Sequence, residues 1–374
     1  MSFLVKKSIK SNLTIVLFNL ITVFSLTLVT GCKKETNFDN DNSILPVENN
    51  RQPLLIHTDR QSAYLKDKVE NVNDYAVGQE EYSRPAKHKF TWTGGNGPYT
   101  FYLSEKSNYS NSITYESNET QLIVTNLKVR TKYYFKVMSS SKVIKEDVFT
   151  TEDTNIRNMY VSGVTNVRDL GGYVINDRIT KQGQIYRTGR LNENETDVVT
   201  DKITEKGKLT MLNEMKVKSE IDLRLVSNNE VGKLVEGTGV LGDSVSYYQC
   251  PMDFNVSMEE EINVKSLRKV FEILGNSANY PTFFHCSIGT DRTGYIAWLI
   301  NGCLGLDEES LYRDYLFSNF GNIGGKRSVD SIKNNYVKAI KETNGGSLKE
   351  KTVNYLLNKG VKQSQIDTIY SIML

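Results

Sequence analysis

A short apolar run, Thr282-Phe283-Phe284-His285, stops abruptly at Cys286-Ser287-Ile288-Gly289-Thr290-Asp291-Arg292-Thr293-Gly294. Tyr295, Ile296, Trp298, Leu299, Ile300 and Cys303 then follow at helical spacing. No other stretch restricts the fold as much. An apolar run this short, bounded by polar residues, reads as a buried strand, and the spacing beyond it predicts a helix with an apolar face. A strand passed to a helix through one tight loop is the building unit of an α/β sheet, and such sheets hold ligands beyond the C-terminal ends of their strands. The loop is therefore where chemistry is expected.

Its residues suit an anion. A loop feeding a helix N-terminus points several backbone N–H groups inward, and the helix dipole adds partial positive charge. The same surroundings favour Cys286 as a thiolate, the nucleophilic form. Arg292 brings a planar fork that grips two phosphate oxygens at once. Gly289 permits close backbone approach, and Thr293 can donate a hydrogen bond to the sulfur when it departs as thiolate. A merely structural cysteine would need none of these companions. Together they imply a phosphate-ester hydrolase working through a cysteinyl-phosphate intermediate.

The segment resembles the loop of the cysteine-dependent tyrosine phosphatases, in particular the bacterial secreted branch with the signature HCxxGKDRTG; Thr290 stands where that branch carries lysine. The resemblance extends, in order, to Asn166-Val167-Arg168-Asp169-Leu170-Gly171-Gly172-Tyr173 (NxRDLGG), Tyr186-Arg187-Thr188-Gly189-Arg190-Leu191 (YRSGxL), Ile221-Asp222-Leu223-Arg224 (IDLR) and Asp314-Tyr315-Leu316-Phe317-Ser318-Asn319 (DYLxSN). It covers residues 155–374. It implies Cys286 as nucleophile, Arg292 as phosphate clamp, His285 supporting the thiolate from behind, and the amides of Ser287, Ile288, Gly289, Thr290, Asp291 and Arg292 binding phosphate oxygens. The activity implied is that of a protein tyrosine phosphatase. Inositol phosphates, phosphoinositides or dual-specificity substrates are the alternatives within the same chemistry, and a surface-binding lipoprotein without turnover is the alternative of another class.

A leaving phenolate or alkoxide needs a proton, and a carboxyl group is the natural donor. Two aspartates compete. Asp291 lies inside the loop, and the resemblance favours it; it could equally cap the helix. Asp253, after Pro251 and Met252, stands at an expected strand exit, where it could equally be a turn residue. Of the arginines, Arg168 sits in a turn-rich scaffold segment, Arg224 suits an ion pair with Asp222, and one of Arg168, Arg187, Arg190 and Arg224 is expected to touch substrate.

The rest of the chain places this unit. Lys6, Lys7 and Lys10 precede an apolar run ending in Leu28-Val29-Thr30-Gly31-Cys32, which resembles a bacterial lipobox. Residues 1–31 are expected to be a signal peptide, with Cys32 lipidated and the protein held at a membrane of the bacterial cell envelope. An Asn- and Asp-rich tether then covers 32–52. Residues 53–152 show short alternating strands, with Trp92 as a core aromatic. Leu127 to Val137 resembles a fibronectin type III module, so an all-β sandwich is expected to precede an α/β domain whose central sheet is flanked by helices.

Cys250, Cys286 and Cys303 then remain, an odd set that forms no disulfide framework. No Cys/His spacing suggests a metal, and the expected chemistry needs no cofactor. The formal net charge of +2 without a long basic run gives no case for nucleic acid. The expected partner is a phosphorylated protein or small phosphate ester, and nothing in the sequence indicates an oligomeric state.

Overall fold

The computed structural model describes residues 44–47, 52–192, 202–226 and 230–374. The signal segment, Cys32 and most of the tether lie outside these. The first part of the described chain forms two sheets. β1 (Ile44–Pro46), β2 (Lys87–Thr91) and β5 (Gln121–Val124) make one; β3 (Tyr99–Ser104), β4 (Ile113–Ser117), β6 (Lys132–Ser139) and β7 (Lys142–Thr150) make the other, in the order β4-β3-β6-β7. Alternation explains the pairing. In β3, Tyr99, Phe101 and Leu103 are buried, while Thr100 and Tyr102 are partly exposed. The inward side chains of both sheets share one aromatic core, in which Phe90 meets Phe101 at 5.0 Å and Phe135 at 5.1 Å. Trp92 is buried there as expected. The Tyr133 hydroxyl accepts from the Lys128 N–H at 2.9 Å, which pins the turn before β6.

The second part is built on a six-stranded sheet. Its strands are β8 (Arg157–Asn158), β9 (Arg168–Asp169), β12 (Ile185–Thr188), β13 (Ser219–Asp222), β14 (Ser246–Gln249) and β15 (Thr282–His285), in the order β14-β13-β15-β12-β9-β8; a small hairpin, β10 (Val174–Ile175) with β11 (Arg178–Ile179), stands apart. β15 is central and parallel to both neighbours, with Thr188 and Asp222 each level with His285. Three strands thus end at one height, directly below Cys286.

Helices cover the sheet: α2 (Glu205–Leu209), α3 (Glu261–Leu274), α4 (Asp291–Leu304), α5 (Glu308–Leu316), α6 (Val329–Asn335), α7 (Lys338–Glu342), α8 (Leu348–Asn358) and α9 (Gln363–Met373). α4 departs from expectation. The spacing predicted one apolar face, yet every residue from Arg292 to Leu304 is buried, because α4 lies between the sheet (β12 and β15) and the helices α5, α6, α8 and α9. It ends at Gly305, whose left-handed backbone (φ 103°) turns its N–H back onto Asn301 and Gly302.

The two parts are not joined by a simple linker. α1 (Asp59–Leu65) and the 3₁₀ turn Val69–Asp74 precede most of the β strands, yet Tyr64, Val69, Val72 and Ala76 belong to the core of the α/β part. Gln182 exchanges both of its amide groups with the Val129 backbone (3.0 and 2.9 Å), and Arg157 donates to Asn126 O at 2.6 Å and to Leu127 O at 3.2 Å.

Candidate active site

The loop from Cys286 to Thr290 leaves β15 and enters α4, and its carbonyls face away from its concave side. Asn166 Nδ2 donates to Ile288 O (3.1 Å) and Gly289 O (3.0 Å), Arg187 Nη2 to Gly289 O (2.8 Å), and the Arg190 N–H to Ser287 O (3.1 Å). The N–H groups of Ser287 to Arg292, by contrast, donate to no acceptor among the described residues. A run of amides without protein acceptors, in the loop that follows Cys286 and enters a helix, suits an anion with several oxygens. Gly289 has a left-handed backbone (φ 68°), and a Cβ there would collide with the Thr188 carbonyl. Its role is thus to fit the loop onto β12 as well as to approach a ligand.

Arg292 is buried behind this loop. Its contacts all fall on Nη1: Glu230 Oε2 at 2.6 Å, Met252 O at 3.2 Å and Leu223 O at 3.4 Å. Nη2 and Nε make no protein hydrogen bond among the described residues. Burial disfavours its charge, but Cys286 and Glu230 outweigh that and hold it firmly cationic. Burial pushes the Cys250 and Cys303 thiols up to about 12, which leaves both as inert core fillers.

Beneath the loop, the sequence motifs come together as a charged scaffold. Asp314 accepts from Arg187 Nη1 at 2.5 Å and Arg168 Nε at 3.2 Å, and Arg168 continues to Asn166 and Ser318. Despite burial, the two guanidiniums keep the Asp314 carboxyl below its ordinary range. Asp222 is held at about 2: burial alone would raise it, but His285 and Arg224 prevail. Arg168, Arg187 and Arg224 therefore support the loop through protein partners. Arg190 lies beside Ser287, with Nη1 3.4 Å from its carbonyl.

Thr293 was expected to donate to the sulfur when it departs as thiolate; its hydroxyl is buried and makes no hydrogen bond among the described residues. Asp291 is gripped at both oxygens by Arg327 (Nε–Oδ1 3.0 Å, Nη2–Oδ2 2.9 Å) and accepts the Tyr315 hydroxyl at 2.8 Å. Asp253 follows Met252, whose carbonyl binds Arg292, and its Oδ1 accepts only from Asn255 in a turn (2.8 and 3.0 Å). Asn263 of α3 ties that turn down by binding the Asp253 N–H (2.8 Å) and carbonyl (2.9 Å). Next to it the half-exposed Phe254 ring stacks under the Arg292 guanidinium at 5.0 Å.

Glu230, Arg327 and Phe254 were not singled out in the sequence; Phe254 alone carried a signal, as an aromatic directly after a candidate acid. Glu220, Asp222 and His285 place ligand atoms within 4.8 Å of one another, as a metal would need. Asp222 is, however, occupied by Arg224 (2.6 Å) and the Tyr247 hydroxyl (2.7 Å), and both ring nitrogens of His285 are hydrogen-bonded.

A concave ring of free amides around a cysteine, closed by a buried arginine, defines the cysteine-dependent phosphatases. The chain belongs to the tyrosine phosphatase family, whose model matches residues 159–370, and it is a cysteine-based phosphatase. Among solved structures it is similar to the core catalytic domain of the PP-IP phosphatase SIW14 from S. cerevisiae in complex with citrate. The identity is 22% over 46% of this chain and 88% of that one, with a TM-score of 0.28. It is also similar to P. aeruginosa TpbA, at 13% identity over 54% of this chain and 95% of that one, TM-score 0.27. No curated protein matches.

Proposed function

We propose that the protein hydrolyses aryl phosphate monoesters, phosphotyrosine above all, with Cys286 as nucleophile, Arg292 and the Ser287–Arg292 amides as the phosphate cradle, and Asp253 as general acid. The observation that carries this is the run of N–H groups from Ser287 to Arg292, next to Cys286, with no acceptor among the described residues. Cys286 Sγ attacks phosphorus as the P–O bond to the leaving group breaks, and Asp253 protonates the departing oxygen. Water then attacks phosphorus, giving its proton to Asp253, and the S–P bond breaks to release phosphate. Asp291 suits the acid role poorly, since Arg327 and the Tyr315 hydroxyl already engage its two oxygens. The turn at Asp253 lies against Arg292, and Phe254 offers a flat wall for an aromatic leaving group.

Cys286→Ser should abolish turnover of aryl phosphates while phosphate-ester binding persists. Asp253→Asn should lower kcat by about 10²–10⁴ for phenyl phosphate and much less for a nitrophenyl ester, which leaves without help. Asp291→Asn should show no such dependence on the leaving group. The reverse pattern would transfer the acid role to Asp291. The reading extends to the remainder of the chain: the seven-stranded β part is a fibronectin type III-like module, supported by its two sheets and the Tyr133 hydrogen bond. Lipidated Cys32 anchors the enzyme to the cell envelope, supported by residues 28–32.

A further inference from the structure

His285 is fully buried, and both ring nitrogens face acceptors. Nδ1 lies 3.1 Å from the Cys286 carbonyl, which can only accept, and 3.9 Å from Asp222 Oδ1. Nε2 lies 3.0 Å from Glu220 Oε1. A neutral imidazole carries one N–H and cannot serve two acceptors. Glu220 is itself buried, and its Oε2 has no hydrogen-bond partner, so its charge has one outlet, the ring. The other charged groups around the ring are accounted for. Asp222 is bound by Arg224 and Tyr247, Arg292 by Glu230, and the β12 neighbour level with His285 is the neutral Thr188. The Phe283 ring stacks on the imidazole at 5.9 Å.

We propose that Glu220 is a positioning residue that keeps a proton on both nitrogens of His285, so that an imidazolium sits one residue from the Cys286 sulfur and favours its thiolate. The proposal rests on Cys286 being the nucleophile, and it adds a source of positive charge behind the loop that the amides and Arg292 do not supply. Glu220→Gln separates charge from geometry. The glutamine amide donates to a ring nitrogen that has lost its proton, so the contact and the ring orientation survive while the imidazolium does not.

The chain has three histidines, so their side-chain ¹⁵N–¹H correlations can be resolved individually. His88, whose affinity for a proton burial lowers, serves as the comparison. In the native protein the His285 ring should still show two protonated nitrogens at about pH 7.5, above the ordinary imidazole titration near about 6.5; in Glu220→Gln it alone should change to one. Alkylation of Cys286 by neutral iodoacetamide at about pH 6 should slow on the order of tenfold in the variant, and the difference should close as pH rises. Binding of inorganic phosphate, which forms no bond to the sulfur, should stay within about threefold, as the cradle is untouched. A native His285 with an unprotonated Nε2, or a variant alkylated at the native rate, overturns the proposal. Retained turnover in Cys286→Ser would instead overturn the nucleophile assignment, without altering the His285 spectrum.

Discussion

Replacing Asp314 by asparagine removes one carboxylate that serves two fully buried guanidiniums, Arg168 and Arg187. Asparagine has nearly the same shape, so the change isolates charge. Breaking a buried ion pair from one side costs about 3–5 kcal/mol, because the partner is left charged and unpaired. Here two partners lose their counterion, so the upper half of that range is expected. At about 2 °C per kcal/mol for a chain of this size, Tm should fall by roughly 8–10 °C. Function should suffer through a separate route. Arg187 also holds Gly289 O at 2.8 Å, so a displaced Arg187 loosens the phosphate loop and raises KM for aryl phosphates more than it lowers kcat.

Thermal unfolding with and without vanadate, together with steady-state kinetics, measures both effects. The pH dependence provides a further check. Asp314 ionises more readily in the folded chain than in the unfolded one, so its contribution is fully present above about pH 4, the ordinary aspartate range, and is lost as pH falls through the lower folded value. Stability of the variant should therefore change less than that of the native protein on acidification in that window. A Tm within about 2 °C of native, well below the buried-pair range, would refute the claim that this carboxylate carries the scaffold.

Three other outcomes are expected. Gly289→Ala should weaken vanadate binding, since the left-handed backbone alone costs about 1–2 kcal/mol and the added Cβ pushes the loop off Thr188; unchanged binding would show that the loop tolerates the shift. A fragment beginning at residue 155 should fail to give a soluble, cooperatively unfolding protein, because it lacks Tyr64, Val69, Val72 and Ala76 from the core and the Val129 backbone that Gln182 binds. An active fragment with a single sharp transition would refute that. Arg327→Gln should leave the dependence on leaving group unaltered if Asp291 is only its ion-pair partner, measured on phenyl and nitrophenyl phosphates.

Local sequence determined the parts whose signals are short-range. The apolar run 282–285, the polar loop and the helical spacing after it define β15, the phosphate loop and α4, and alternation at 99–103 defines a sandwich strand. Cys286 and Arg292, the proposed nucleophile and clamp, stood out in the sequence because both lie on one loop and the chemistry proposed for them constrains their neighbours. What folding decided were pairings across long stretches of chain: Glu230 with Arg292, Arg327 with Asp291, Glu220 with His285, and the helix at 59–65 beside the core of a sheet that begins at residue 157. A charged residue carries no mark in sequence of which opposite charge it will meet, since that depends on sheet order and helix packing. The same holds for Arg168 and Arg187, which only the fold brings onto Asp314, whereas the pair of Arg224 with Asp222, two residues apart, was legible in the sequence.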